Sequence, residues 1–194
     1  MAKSKSIHSL YQVYEHQKTE LLLHLLEQDQ KLSGAMIFVL QSDDLHAITT
    51  LLAKKGKHVD SIHGKKKQEA RQETLQEHLD GNLDYLIVTE AIARNLDYTG
   101  VQNIINYDFP ELPEDYLKQA QSCTEGCLYS FDNPTPSKQL IKLEEYIEGQ
   151  IPRTTADNFD YAAHALKTTN RNKPRKRGPR SKPLQNKKSK LKRK

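Results

Sequence analysis

The chain has 194 residues, enough for one ordinary domain and an extension, and its 36% hydrophobic content suits a modest core. No apolar run reaches the roughly 18 to 20 residues that span a bilayer, and the N-terminal MAKSKSIHSL has no signal-peptide apolar segment, so no membrane role is expected and the protein is read as cytoplasmic. The net charge of +5 hides a division: fourteen of the 30 Lys and Arg lie from Lys167 onward without any Asp or Glu, which leaves sixteen against all 25 acidic residues, about −9, in the body.

Taken in chain order, residues 1–6 read as a flexible N-terminus, and Ile7 to Tyr14 alternates as a first strand. Gln17 to Gln28 places Leu21, Leu22, Leu25 and Leu26 on one helical face. Ala35 to Leu40 is a short apolar run typical of a strand buried on both sides. Ser42 or Asp43 can cap a helix carrying Leu45, Ile48, Leu51 and Leu52, which Gly56 ends. His58 to Ile62 is a third strand, and Lys67 to Leu79 a polar helix stopped by Gly81.

The apolar run Tyr85 to Val88 stops at Thr89 and Glu90, a polar turn with Arg94 and Asp97 follows, and Val101 to Tyr107 resumes as a strand. Pro113 to Gln121 reads as a helix, Gly126 to Phe131 as a strand, and Lys138 to Glu148 as a helix burying Leu140, Ile141, Leu143, Tyr146 and Ile147. Such alternation implies an α/β fold, an open and mostly parallel sheet with helices on both faces. The domain is assigned to residues 7–151, a connecting segment to 152–166, and a disordered Lys/Arg-rich tail to 167–194.

Ligands in open α/β sheets sit beyond the carboxyl ends of the strands, where Thr89, Arg94 and Asp97 would project. The surrounding string, Val88-Thr-Glu-Ala-Ile-Ala-Arg-Asn-Leu-Asp97, resembles the fifth conserved motif of DEAD-box RNA helicases, Ala-Thr-Asp-Val-Ala-Ala-Arg-Gly-Leu-Asp. The following NIINYDFPELPEDY is similar to the family's next string. Upstream, Ala35 to Val39 resembles the fourth motif, with Gln41 where the family has an RNA-contacting Thr. His63-Gly64, Gln68 and Arg71 reproduce its His-Gly and Gln-x-x-Arg pattern. The resemblance implies the second RecA-like domain of such a helicase, standing alone and degenerate.

By that resemblance, Gly64, Gln68, Arg71 and Thr89 contact RNA phosphates, Arg94 supports the loop, and Asp97 marks a vestigial nucleotide site near the ATP ribose. A glycine at a strand-to-helix turn lets backbone approach a phosphate, and the helix start offers free N–H groups. Lys65, Lys66 and Lys67 stand where the family has Asp-Leu-Ser; they are either further phosphate contacts or a solvated helix start. Glu90 replaces the motif's Asp, and Asn95 its Gly.

The sixth motif departs most. Where the family continues with Val and His-Arg-Ile-Gly-Arg-Thr-Gly-Arg, this chain reads Leu117-Lys-Gln-Ala-Gln-Ser-Cys-Thr-Glu-Gly126. Arginine fingers supply on the order of 10³ to 10⁵ in rate, and Lys118, the cation left in this stretch, lacks their planar fork. There is no Gly-x-x-x-x-Gly-Lys-Ser/Thr phosphate loop and no Asp-Glu-Ala-Asp string. No catalytic residue and no resident cofactor or metal is expected; autonomous ATP hydrolysis is not, and ATP would bind only if another domain completed the site. Cys123 and Cys127 read as reduced packing residues, and the scattered histidines as structural.

Two functions follow. One is a helicase-derived RNA-binding module, with Arg175, Lys176 and Arg177 in a tail that binds phosphates without reading sequence. The other is a protein-interaction module whose acidic body docks a helicase, a ribonuclease or a ribosomal assembly intermediate while the tail localises it to RNA.

Overall fold

The computed structural model describes residues 7–123 and 125–161. Among them run seven parallel strands in the order β3-β4-β2-β5-β6-β1-β7. They are β1 (Ile7–Gln12), β2 (Ala35–Val39), β3 (Val59–Ile62), β4 (Tyr85–Thr89), β5 (Ile104–Asn106), β6 (Cys127–Asp132) and β7 (Arg153–Thr154). The helices are α1 (Lys18–Gln28), α2 (Ser42–Lys54), α3 (Gln68–Leu79), α4 (Glu90–Ala93), α5 (Pro113–Ser122) and α6 (Lys138–Tyr146).

Every residue of β2 and β4 is buried, as a strand covered on both faces requires. Successive side chains go to opposite cores. Met36 and Phe38 join Leu86, Val88, Leu75, Tyr116, Leu140 and Leu143 beneath α3, α5 and α6. Ala35, Ile37 and Val39 join Ile87, Leu21, Leu25, Leu45 and Leu52 beneath α1 and α2. The period of two is the pleat of the strand, and each fully buried aliphatic side chain contributes on the order of 1.5 to 3 kcal/mol. Parallel pairing puts all the carboxyl ends on one side of the sheet.

Several boundaries differ from the sequence reading. β1 ends at Gln12 because Tyr14 begins a tight turn, its carbonyl accepting from Gln17 N–H at 2.8 Å. β5 begins only at Ile104, since Tyr98 to Val101 closes a turn through Gly100, φ 99°. The N-cap of α2 is Gln41, without a side-chain bond, so neither Ser42 nor Asp43 caps it; Asp43 and Asp44 instead lie in the first turn, where they suit the helix dipole. α6 stops at Tyr146 and buries only Leu140 and Leu143; Ile141, Tyr146 and Ile147 are exposed.

Residues 152–161 do more than connect. Leu10 and Tyr11 pair with Arg153 and Thr154, and Ala156, Phe159 and Tyr161 pack against the α1 side of the core. Residues 1–6 and the segment from 167, with Arg175, Lys176 and Arg177, lie outside the described residues. No helix among the described residues is long and apolar enough to cross a membrane.

Candidate nucleic-acid interface at the carboxyl ends of the strands

The turn after β3 and the first turns of α3 form one wall of the site. Gly64 is exposed, and its carbonyl accepts from Arg71 Nη2 at 2.8 Å, which folds the arginine back over the turn. Arg71 Nε is enclosed without a partner among the described residues. Nothing lies within 4 Å of where a Cβ on Gly64 would stand, so the protein's own packing does not require glycine there.

Of the three lysines, Lys65 and Lys67 are exposed while Lys66 turns inward. Its Nζ donates to Asp60 Oδ2 (2.7 Å), Thr74 Oγ1 (2.6 Å) and the Ser61 carbonyl (3.2 Å). Burial opposes ionisation of Asp60, but Lys66 and the Ser61 amide outweigh it and hold the carboxyl below its ordinary range. Lys66 thus ties β3 to α3, while its two neighbours stay exposed. His63 is held below its ordinary value by burial, and then by His46, whose ring centroid is 5.4 Å away, and Lys66.

The other wall follows β4. Thr89 is 6% exposed and starts α4, a single helical turn where the sequence indicated only a polar loop. Arg94 closes that turn and is bound by three carboxylates: Nε to Asp115 Oδ2 at 2.9 Å, Nη2 to Glu90 Oε1 at 3.0 Å and to Glu111 Oε2 at 3.2 Å. The guanidinium ties the α4 turn to α5 and the loop before it, and its charge is more than balanced locally. Burial, reinforced by Asp115, pushes the Glu90 carboxyl up to about 7. Asp97 is exposed and accepts from Thr99 N–H at 3.1 Å; the Thr99 side chain, and then this amide, draw its carboxyl below the usual range.

The degenerate sixth motif occupies α5. Lys118 Nζ donates to the carbonyls of Ala93 (3.1 Å), Arg94 (3.0 Å) and Leu96 (2.8 Å) and lies 4.8 Å from the Tyr98 ring centroid. Gln119, at the position of the motif's first arginine, is 1% exposed, and its Oε1 accepts from Asn106 Nδ2 at 2.7 Å. Phe38, in the segment that resembles the fourth motif, packs edge-on against Tyr98, with 5.6 Å between ring centroids. Both cysteines are buried, and burial pushes the Cys123 thiol up to about 12, an inert packing state.

Gln68, Arg71 and Gln72 from α3 and Ile92, Asn95 and Leu96 from the α4 segment face one another across a cleft of about 310 Å³. Gln68 and Arg71 were legible from their motif. Asn95 was marked only as a departure from its motif, and Gln72 not at all, because no pattern marks an exposed carboxamide until a facing wall gives it a place.

This parallel sheet, with its site-bearing loops at one end, has the RecA-like fold found in DEAD-box proteins. Residues 17–121 match the helicase conserved C-terminal domain, over half of the chain, and the chain belongs to that family. It is 29% identical over 154 residues to the ATP-dependent RNA helicase CshA of Listeria monocytogenes, covering 77% of this chain and 29% of that protein. The chain therefore spans less than a third of that relative. Among solved structures, a DEAD box protein from Methanococcus jannaschii superposes with a TM-score of 0.70 at 23% identity, covering 80% of this chain and 43% of that one. The Escherichia coli DEAD-box protein SrmB, bound to the regulator of ribonuclease activity A, gives 0.65 at 25%, covering 79% and 92%.

Proposed function

We propose that this domain binds single-stranded RNA across the cleft between α3 and α4 and hydrolyses no ATP on its own. The observation that carries the reading is the convergence of two separate helicase motifs, Gln68 and Arg71 from one and Ile92 to Leu96 from the other, on the same cleft. Exposed Lys65 and Lys67 flank it, and Gly64 leaves room for a phosphate that the fold does not fill. Thr89, at the end of β4, is 6% exposed and leads into the α4 segment that lines the cleft. Arg175, Lys176 and Arg177, with the rest of the basic tail, add counterion-release affinity that is steep in salt. RNA as ligand fits a cytoplasmic protein.

Loss of hydrolysis follows from the positions that would stabilise transferring phosphate. Lys118 spends its three protons on backbone carbonyls, and Gln119 is enclosed in the core. Neither offers a guanidinium to a nucleotide, and Asp97 would touch ATP only if another domain brought the remainder of a site.

The acidic surroundings of Arg94 favour a second reading, in which the body docks a protein such as a helicase, a ribonuclease or a ribosome-assembly factor. Like charge opposes RNA there, so a basic partner surface suits that corner better. Fluorescence anisotropy of a labelled single-stranded RNA, with the full chain and with a chain ending at Leu166 across a salt series, separates the two. Under the RNA reading the shortened chain still binds, Arg71→Ala and Gly64→Ala weaken it, and Gly64→Ala leaves the melting temperature unchanged. Loss of all binding with the tail would leave the docking reading in its place.

A further inference from the structure

A second cavity, of about 500 Å³, lies at the opposite edge of the sheet, where β1 and β7 end the strand order that β3 and β4 begin. One wall is the second half of α1, with His24 and Gln28, and Asp29 just beyond it; the other is the segment after β7, with Thr155, Asp157 and Asn158. Each wall carries one carboxylate, and no lysine or arginine lines the cavity. His24 Nε2 lies 2.7 Å from the Asp157 carbonyl oxygen, so the histidine is already engaged. Asp29 accepts from the Tyr129 hydroxyl at 2.8 Å and from Lys31 N–H at 3.0 Å, which leaves lone pairs for a further donor. Burial, and then the charge of Asp29, push the lining Tyr11 hydroxyl up to about 12. The side chains of Gln28, Asp157 and Asn158 are exposed and have no hydrogen-bond partner among the described residues. An anion would find no counter-charge here, whereas a guanidinium or ammonium group would find two carboxylates and several neutral acceptors.

The course of the chain supplies such a group. The Tyr161 hydroxyl accepts from Ala156 N–H at 3.0 Å, so the chain leaves the body beside one wall of the cavity. Lys167 follows six residues later and Arg171 ten, within roughly 20 and 35 Å of fully extended chain. From Lys167 onward there are fourteen Lys and Arg and no acid, opposite in charge to the body. We infer that the cavity takes the start of this chain's own tail, residues 167–173, with a lysine or arginine side chain between Asp29 and Asp157. So short a connection gives an effective concentration on the order of mM, at which even a modest contact persists. The contact holds back part of the tail's charge until a polyanion displaces it, and it does not depend on RNA binding in the α3–α4 cleft.

The test uses a labelled peptide of residues 167–194, the full chain, and the chain ending at Leu166, which keeps every described strand, helix and core residue. At physiological salt the peptide should bind the shortened chain with a Kd of about 0.1 mM or tighter, which corresponds to about nine-tenths occupancy when the tail is attached. Asp157→Lys should weaken that binding about tenfold or more, because it sets like charges together. Glu77→Lys, the same charge change at an exposed position of α3 on the other face of the sheet, should weaken it less than about twofold. Both positions are exposed, so neither melting temperature should fall. In the full chain, the Thr155 and Asp157 amide resonances should stand where the peptide-saturated shortened chain has them. Amide resonances at the positions of the peptide-free shortened chain would overturn the inference, and peptide binding would then assign the cavity to a basic segment of another protein. A Kd weaker than about 1 mM would overturn it as well, since the attached tail would then be mostly free. So would equal weakening by Asp157→Lys and Glu77→Lys, which would reveal only diffuse attraction to an acidic body.

Discussion

Lys118 Nζ lies 2.8 Å from the Leu96 carbonyl, and this bond, with those to Ala93 and Arg94, fastens α5 to the end of α4. A charged donor shared by carbonyls at the end of a helical turn is a cap supplied from another element, here beside the Leu96 N–H bond to Ala93. Lys118→Met keeps the apolar stem and removes the three bonds. It should lower the unfolding free energy by about 1.5 to 3 kcal/mol, seen as a lower urea midpoint with an unchanged slope. ATP hydrolysis should be undetectable before and after the change.

Restoring an arginine at the sixth motif should harm the protein. Gln119 is 1% exposed and is bonded to Asn106, which also donates to Ser130 Oγ at 3.1 Å. Gln119→Arg forces an unpaired guanidinium into that core, a cost on the order of 3 kcal/mol or more. A fall in melting temperature of several degrees, without any gain of ATPase activity, is the expected result. An unchanged melting temperature would mean that the side chain can reach solvent, which the present packing does not allow.

Glu90 gives the domain a pH dependence of definite sign. Its carboxyl is raised from 4.5 to about 7 by burial and by Asp115, so the folded state holds a proton that the unfolded chain has released. The stability it contributes is complete below about pH 4.5 and is lost as pH rises through about 7. Glu90→Gln keeps the acceptor for Arg94 and removes the titration. Relative to that variant, the unaltered protein should lose up to about 3 kcal/mol between about pH 5 and about pH 8 in urea unfolding. A difference that stays flat would show that Arg94 keeps Glu90 ionised throughout.

The sheet and most of the helices were legible because burial imposes short periods on the chain. Ala35 to Val39 and Tyr85 to Val88 are short apolar runs typical of doubly covered strands, and every residue of both strands is buried. The two-residue β7 was not legible, since Arg153 and Thr154 are held by backbone pairing to β1 and bury no apolar pattern. The failure on α6 has the opposite cause: Ile141, Tyr146 and Ile147 fit a helical stripe, yet the helix buries only Leu140 and Leu143 and leaves these three exposed. At the site, motif identity located the loops but not the partners of their charges. Arg94 and Lys66 look free in sequence, because the carboxylates that hold them come from α5, the preceding loop and β3.

The lysine triplet separates stability from binding within three consecutive positions. Lys66→Met breaks the bonds to Asp60, Thr74 and Ser61; allowing for the partial exposure of the ion pair, the cost is about 1 to 2 kcal/mol. Because the Asp60 carboxyl is held low when folded, this stability is present above the ordinary carboxylate range and fades as pH falls through the folded value, so the variant's deficit should shrink in acid. Lys65→Ala and Lys67→Ala touch only exposed side chains, so stability should change by less than about 0.5 kcal/mol. Each should weaken RNA binding and reduce the magnitude of the salt slope by about 0.7, the single-strand value for one phosphate contact. The decisive measurement is that slope, determined for all three variants alongside their urea midpoints. An unchanged slope at Lys65 and Lys67 would remove phosphate from this wall of the cleft and leave both as solvated lysines at a helix start.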